Sequence, residues 1–246
     1  MPTDPTARRP LKSRDLPFFK HLAASLAQAG VSPNAISFSS MVFGAAAGVM
    51  LAATSALQGW AVNAAWLLST VFIQLRLVAN LLDGMVAVEG KRGGPTGDLW
   101  NEAPDRVADA AIFIGAGYAV GSLPLLGFAA ALMAVFVAYV RALGASVGAG
   151  QIFIGPMAKP QRMFAMTVMS FLGIRFGDHF PPFSLAAISY RNASPESYPP
   201  HFVETGHSEV QLGIVTIVLA LIILGCIVTA IRRLLRIAAF LRAKTS

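Results

Sequence analysis

The sequence has a single cysteine, Cys226, and few charged residues. One thiol excludes an internal disulfide and argues against cysteine-bound zinc or iron–sulfur sites. Charged residues make up 13% of the 246 positions, against about 25% in soluble domains. Acidic residues are scarcer than basic ones, 12 against 19, which gives a formal net charge of +7. Apolar residues fill 55% of the chain, and this excess indicates an integral membrane protein.

Six apolar runs occupy most of the chain. A helix needs roughly 20 apolar residues to cross the bilayer core, and the runs predict spans at 34–55, 60–88, 97–121, 123–146, 161–176 and 211–235. The fifth run is the shortest, and the third begins with polar residues. We therefore expect an all-α protein with six transmembrane helices. Its predicted divisions are a cytoplasmic tail with a juxtamembrane helix, the transmembrane domain and a basic cytoplasmic tail, at 1–32, 33–236 and 237–246.

The basic residues predict the orientation of these spans. Most lysines and arginines precede the first span, lie between the second and third or the fourth and fifth, or follow the sixth. By the positive-inside rule, both termini are then cytoplasmic. Because the cations flank apolar runs, they indicate membrane topology rather than nucleic-acid binding. Residues 1–14 are polar and no apolar segment follows them directly, so this stretch does not resemble a signal peptide. The compact chain favours a bacterial cytoplasmic membrane.

Two segments outside the spans carry predictions of their own. Residues 15–30 predict an amphipathic helix on the cytoplasmic membrane surface, with a disordered tail as the alternative. Asp15 is placed to cap this helix, Pro17 suits its first turn, and its apolar face carries Phe19, Leu22 and Leu26. On the outer side, the two proline pairs in 177–210 predict a loop without regular structure.

Polar residues concentrate where the second span ends and the third begins. Ionisable groups at membrane depth are costly and usually mark function. A spacing of three and four residues places one set on a single helix face, Asn80, Asp83 and Ala87. A spacing of four places a second set on another face, Gly97, Asn101, Asp105 and Asp109. The short loop between the spans predicts adjacent antiparallel helices, so that the two faces meet near the cytoplasmic side.

The composition of these faces predicts a diphosphate substrate. Clustered Asp and Asn oxygens suit a hard divalent cation such as Mg²⁺, and the absence of His and Cys from these faces argues against zinc. Small residues at Gly84, Ala87 and Gly97 leave room for a ligand, and Lys91 and Arg92 lie in the connecting loop, within reach of a phosphate. A metal ion would neutralise a transferring phosphoryl group while a carboxylate deprotonates the attacking hydroxyl.

The stretch from Asn80 to Asp105 resembles the signature of the CDP-alcohol phosphatidyltransferases, Asp-x2-Asp-Gly-x2-Ala-Arg-x8-Gly-x3-Asp-x3-Asp. The matching positions, with the eight-residue spacer kept, are Asp83, Gly84, Ala87, Gly97 and Asp105. The resemblance implies six transmembrane helices, usually a homodimer, and an active site open to the cytoplasm. It also implies Mg²⁺- or Mn²⁺-dependent transfer of a substituted phosphate from a CDP-linked lipid or alcohol to a hydroxyl, with release of CMP.

The resemblance assigns roles to individual residues. Asp83 would be a metal ligand and Asp105 the catalytic base or a shared ligand, while Gly84, Ala87 and Gly97 would make room for the CDP group. Two weaker likenesses lie outside the signature. The stretch Ser32-Pro33-Asn34-Ala35-Ile36-Ser37 resembles the family's start of the first span. The region from Tyr139 to Arg162 resembles the family's binding region for the acceptor's phosphate, with the candidates Arg141, Lys159 and Arg162.

The chain departs from the signature at three positions. Asn80 and Asn101 stand where the family has aspartates, and Val88 replaces its arginine. Two formal charges are therefore lost, which Glu102 and Asp109 are close enough to compensate. Two local alternatives stay open. Asn101 is either a metal ligand or the cap of a helix with Pro104 in its first turn, and Asp109 is either a metal ligand or an ion-pair partner of Arg76, Arg106 or Arg141.

Three functions follow from this sequence. The first is a CDP-alcohol phosphatidyltransferase of phospholipid biosynthesis. Its expected substrates are a CDP-linked lipid, with CDP-diacylglycerol as the first candidate, and a small hydroxyl acceptor. The second is an inactive relative that binds lipid or a partner protein, and the three departures motivate it. The third is a small transporter, which the absence of an internal repeat disfavours.

Overall fold

A computed structural model describes residues 15–90, 96–176, 183–192 and 202–245. Within these ranges the chain forms seven helices and one antiparallel strand pair. In chain order they are α1 (Pro17–Gln28), α2 (Pro33–Ala53), α3 (Trp60–Glu89), α4 (Gly97–Gly117), α5 (Pro124–Ser146), α6 (Lys159–Phe176), β1 (Phe183–Asn192), β2 (Phe202–Leu212) and α7 (Ile214–Thr245). Each of the six apolar runs lies on one helix, from α2 to α7.

Four of these helices are long and apolar enough to cross a membrane, namely α2, α3, α5 and α7. The polar start of α4 and the three basic residues of α6, Lys159, Arg162 and Arg175, set these two helices apart from the four. The chain is thus built as an integral membrane protein. The full count of six spans and the cytoplasmic position of both termini stay predictions.

Helices α2 and α4 pack with their backbones in contact. A Cβ atom built on Gly48 would lie 2.3 Å from the carbonyl oxygen of Ala111, and one built on Gly115 would lie 2.1 Å from that of Gly48. Small residues of this kind allow the closest approach of helices in a membrane. The close approach of α2 and α4 brings the first turns of α2 beside the polar half of α3.

A second close contact joins α3 to α6. The fully buried indole of Trp66 lies against Gly173, where an added Cβ would be 2.4 Å from the ring. One face of α6 contributes a row of buried methionines to the same core, Met163, Met166 and Met169. This packing fixes the position of α6, whose first residue is Lys159.

Helix α1 begins later than the sequence predicts. Its N-cap is Leu16 in an extended conformation, with Pro17 following, and no side chain caps it. The predicted capping role of Asp15 is therefore wrong, because the proline places the helix start one residue beyond it. The predicted apolar face packs against Ala79, Leu82 and Val86 of α3, through Phe19, Leu22 and Leu26.

The outer segment also differs from its prediction. Strands β1 and β2 pair in antiparallel register from Phe183 opposite Leu212 to Asn192 opposite Phe202, with an irregularity at Ser189. The expectation of an irregular loop is therefore wrong for these residues, whereas the bundle outside the strand pair is all-α, as predicted. The reason is the position of the two proline pairs, which flank the strands in the sequence and do not interrupt them.

Candidate active site

The polar faces of α3 and α4 meet at the end of α3 and the beginning of α4. Asn80 Nδ2 donates a hydrogen bond to Asn101 Oδ1 over 3.3 Å. Asp83 and Asp105 are both buried, with 4% and 5% of their surface exposed. The structure therefore brings together the two asparagines that depart from the signature. It also buries the two aspartates that match it.

Asp83 is held by the first turns of α2. Ser37 Oγ donates to Asp83 Oδ2 over 2.7 Å, and the Gly84 N–H donates to the other carboxylate oxygen over 2.5 Å. The start of α2 is defined by Ser32, whose hydroxyl accepts a hydrogen bond from the Ala35 N–H. Ser37 was missed as a site residue. It belongs to the Ser32–Ser37 stretch that carries one of the weaker likenesses, and this was the available signal.

Asp105 is surrounded by cations. Arg76 Nη2 donates to Asp105 Oδ1 over 3.0 Å, and Lys159 Nζ contacts the other oxygen, Oδ2. The same ammonium group donates to Asn80 Oδ1 over 2.7 Å. Lys159 thus links α6 to both polar faces at once.

Asp109 lies one turn deeper and forms buried ion pairs. Its Oδ1 accepts from Arg76 Nη2 over 2.6 Å, and its Oδ2 lies 3.4 Å from Arg162 Nη2. Of the three predicted partners, Arg76 is the one that pairs. Arg162 is 1% exposed and also donates to the Met157 carbonyl oxygen. Its guanidinium therefore makes buried contacts inside the protein, and its role as an acceptor-phosphate candidate stays a prediction.

Two arginines share one carboxylate nearer the surface. Glu102 accepts from Arg141 Nη2 over 2.5 Å and from Arg106 Nη2 over 2.9 Å. Glu102 is half-exposed, and the Arg141 guanidinium also lies over the Phe153 ring, 5.8 Å from its centroid. The side chains of Arg141 and of Lys159, two of the acceptor-phosphate candidates, are each partly exposed.

The structure decides between the two readings of Asn101. Helix α4 begins at Gly97 with Thr96 as its N-cap, so Asn101 lies in the second turn. The capping alternative is therefore wrong, and Pro104 lies inside the helix. A Cβ on Gly97 would meet no atom within 4 Å, which leaves open space at this end of the site. Gly84 and Ala87 lie on α3, whereas Lys91 and Arg92 lie outside the described residues.

The donor set of the cluster fits one divalent cation. Asn80, Asp83, Asn101 and Asp105 offer only oxygen ligands, which Mg²⁺ and Mn²⁺ prefer. Two of these ligands, Asp83 and Asp105, are carboxylates. The Lys159 ammonium already lies among these oxygens and acts as a stand-in cation. Within the described residues, no three His, Cys, Asp or Glu side chains form a metal-binding group, so the amide oxygens are needed.

Comparison with known proteins gives a likeness in fold. No family model and no curated sequence matches the chain. A crystal structure of phosphatidylinositol phosphate synthase PgsA1 from Mycobacterium tuberculosis, in complex with manganese and citrate, aligns with a TM-score of 0.61 at 14% identity, over 89% of this chain and 88% of that one. The same enzyme with CDP-DAG bound gives 0.60 at 15% identity, over 89% and 92%.

The apo form of that synthase agrees with these values, with a TM-score of 0.58 at 14% identity, over 88% of this chain and 94% of the other. The synthase belongs to the CDP-alcohol phosphatidyltransferase family. This chain therefore has the fold of that family along nearly its whole length. The family likeness that the stretch from Asn80 to Asp105 indicates is thus confirmed for the fold, while the count of six spans stays a prediction.

Proposed function

We propose that this protein is a CDP-alcohol phosphatidyltransferase of a membrane. It transfers a substituted phosphate from a CDP-linked donor, CDP-diacylglycerol in the first instance, to a hydroxyl acceptor and releases CMP. One observation carries the proposal. The buried Asp83 and Asp105 lie on the polar faces of α3 and α4. The fold is shared with a synthase whose structures contain manganese and CDP-DAG.

Four side chains would hold the cation, namely Asn80, Asp83, Asn101 and Asp105. When bound, Mg²⁺ or Mn²⁺ supplies positive charge that neutralises the phosphates of the donor. Ser37 and Gly84 orient Asp83 through the two hydrogen bonds on its carboxylate. Arg76 orients Asp105 in the same way. Asp109 holds Arg76 in place from below, and its assignment as a further ligand remains a prediction.

The proposed reaction needs one base. The oxygen of the acceptor hydroxyl attacks the phosphorus that carries the lipid alcohol, and Asp105 accepts the hydroxyl proton. The bond between this phosphorus and the bridging oxygen breaks, and CMP leaves with the bond's electrons. Gly84, Ala87 and Gly97 leave room for the CDP group, with Lys91 and Arg92 as candidates for its phosphates. Arg141 is the candidate for a phosphate on the acceptor.

The membrane context completes the proposal. We place the enzyme in a bacterial cytoplasmic membrane, with its site facing the cytoplasm and both termini on that side, in accordance with the distribution of basic residues. The donor then enters from the lipid phase and the small acceptor from water. A homodimer is the assembly implied by the signature. Neither assembly nor orientation is needed for the chemistry at Asp83 and Asp105.

A second function has one specific observation in its favour. Arg76 and Lys159 both pair with Asp105 and Arg106 lies 4.0 Å from it, so the proposed base already has three cationic partners. If these ion pairs persist when a CDP-linked lipid binds, Asp105 does not accept a proton, and the protein binds the lipid without turning it over. This alternative is the inactive lipid-binding relative, and the first experiment below separates it from the enzyme.

The test is CMP release by the purified protein in detergent, with CDP-diacylglycerol, Mg²⁺ or Mn²⁺ and a pool of acceptor alcohols. We expect metal-dependent CMP that falls about a hundredfold or more in Asp83→Asn and in Asp105→Asn. Glu89→Gln is the matched control, because this exposed carboxylate near the end of α3 lies outside the site. Folded protein that binds the donor, yet releases no more CMP than Asp83→Asn, would establish the inactive alternative.

A further inference from the structure

We propose that Lys159 is a built-in cation of the active site. Its ammonium group occupies the position between Asn80 and Asp105 that a divalent ion would otherwise take, and the site therefore holds one divalent ion fewer than its oxygen cluster could bind. This inference rests on the proposed function. It assigns to Lys159 a role different from that of binding the acceptor's phosphate.

The geometry of Lys159 is that of a bound cation. It is the first residue of α6, yet its Nζ reaches Asn80 on α3 over 2.7 Å and also contacts Asp105 on α4. Three quarters of its side chain is buried. An ammonium group donates up to three hydrogen bonds and accepts none, so it fills an oxygen cradle as a small metal ion does.

The charges of the buried cluster balance without a metal ion. Three buried carboxylates lie in the cluster, Asp83, Asp105 and Asp109, and three cations, Arg76, Lys159 and Arg162, pair with Asp105 or Asp109. Arg106 pairs with Glu102 and lies 4.0 Å from Asp105, whereas Asp83 is held by Ser37 and Gly84. A buried charge is stable only when an opposite charge compensates it. Aspartates at 80 and 101 would add two negative charges, which is the charge of one divalent ion. The two asparagines and Lys159 are thus parts of one electrostatic arrangement.

The other cations near the mouth are placed differently. Arg141 and Arg106 pair with Glu102, a half-exposed carboxylate outside the oxygen cluster, and Arg106 also lies 4.0 Å from Asp105. Arg162 is directed to Asp109 and the Met157 carbonyl oxygen. Of the cations in the described residues, Lys159 alone is recorded in contact with both Asn80 and Asp105. Its effect on metal binding is therefore expected to be specific to this side chain.

The experiment measures Mn²⁺ binding to the full-length protein in detergent, by electron paramagnetic resonance and calorimetry, without substrate. Lys159→Met should bind Mn²⁺ at least about tenfold more tightly, or take up one more ion, because a repelling charge is removed and two oxygens are freed. Lys159→Arg should retain the wild-type binding. Arg141→Met is the matched control, which removes a nearby cation outside the cluster and should leave Mn²⁺ affinity within about threefold of wild type.

Thermal unfolding supplies a second readout. With a chelator present, Lys159→Met should unfold at a lower temperature than the wild type, and Mn²⁺ should restore most of the difference. Unchanged or weaker Mn²⁺ binding by Lys159→Met would overturn the proposal. So would an equal gain in Arg141→Met, or a Lys159→Met protein that does not fold even with Mn²⁺ supplied. The Mn²⁺-binding experiment does not depend on turnover. A failure of CMP release would therefore refute the proposed function without deciding the role of Lys159.

Discussion

The buried ion pairs of Asp109 lead to a quantitative prediction for the substitution Asp109→Asn. Asp109 is 1% exposed. Its carboxylate forms ion pairs with Nη2 of Arg76 at 2.6 Å and with Nη2 of Arg162 at 3.4 Å. Neither Nε nor Nη1 of Arg76 has a hydrogen-bond partner among the described residues. The charge of Arg76 is therefore balanced by Asp105 and Asp109. Arg162 has Asp109 as its carboxylate partner in the described structure.

The magnitude follows from what asparagine keeps and removes. Its amide has nearly the size of the carboxylate and retains one oxygen acceptor, but it removes the negative charge. Breaking a buried ion pair by changing one partner costs about 3–5 kcal/mol, and the retained acceptor places this variant near the lower value. For a chain of this length about 3 kcal/mol corresponds to a melting temperature lower by about 6–12 °C.

The assay uses the single thiol of the chain. Cys226 is buried, so a thiol-reactive fluorogenic dye reports unfolding in detergent from one site. Glu102→Gln is the control, because it removes an ion-pairing carboxylate that is half-exposed and should cost less than about 1 kcal/mol. A melting temperature for Asp109→Asn within about 2 °C of wild type, or a fall equal to that of Glu102→Gln, would refute the assignment of these pairs as stabilising.

Two further predictions concern packing and the support of Asp83. Gly115→Ala should lower the free energy of unfolding by about 1–3 kcal/mol, because its Cβ would lie 2.1 Å from the Gly48 carbonyl oxygen. The control Gly97→Ala, whose Cβ meets no described atom within 4 Å, should melt at or above the wild-type temperature. An unchanged melting temperature in Gly115→Ala would contradict the packing of α2 on α4. Ser37→Ala should lose about 1.5–3 kcal/mol and weaken Mn²⁺ binding, because it removes the hydroxyl donor to Asp83. Ser39→Ala, whose exposed hydroxyl bonds within its own helix, should change neither.

The helices of this fold could be predicted from the sequence because their signals are local. An apolar run between turn residues defines a helix without knowledge of its neighbours, and the beginning of α3 at Trp60 and of α4 at Gly97 was predicted to the residue. The strand pair β1–β2 was missed for the opposite reason. Its pairing joins Phe183 to Leu212 across the intervening segment. The spacing of apolar residues within one strand does not indicate which distant segment pairs with it.

The candidate site divides in the same way. The shared faces of Asn80 with Asp83, and of Asn101 with Asp105, follow from helical spacing alone. The partners of these residues come from elsewhere in the chain. The positive-inside rule already explained Lys159 as a cation between two spans on the predicted cytoplasmic side, so nothing in the sequence indicated its contact with Asn80 and Asp105. A sequence gives the number of charges near a site, and only the packing of α6 on α3 shows which of them enter it.

The departures from the signature acquire a different meaning once Lys159 is included. As isolated changes, Asn80 and Asn101 remove two charges and argue for a dead site. Next to a lysine that contacts Asn80 and Asp105, the two asparagines prevent an excess of buried negative charge. Restoring an aspartate at 80 alone would then create a carboxylate whose nearest cation is Lys159, and the pair would strengthen without any metal. The cation at 159 therefore has to be removed before an aspartate at 80 can help to bind a second ion.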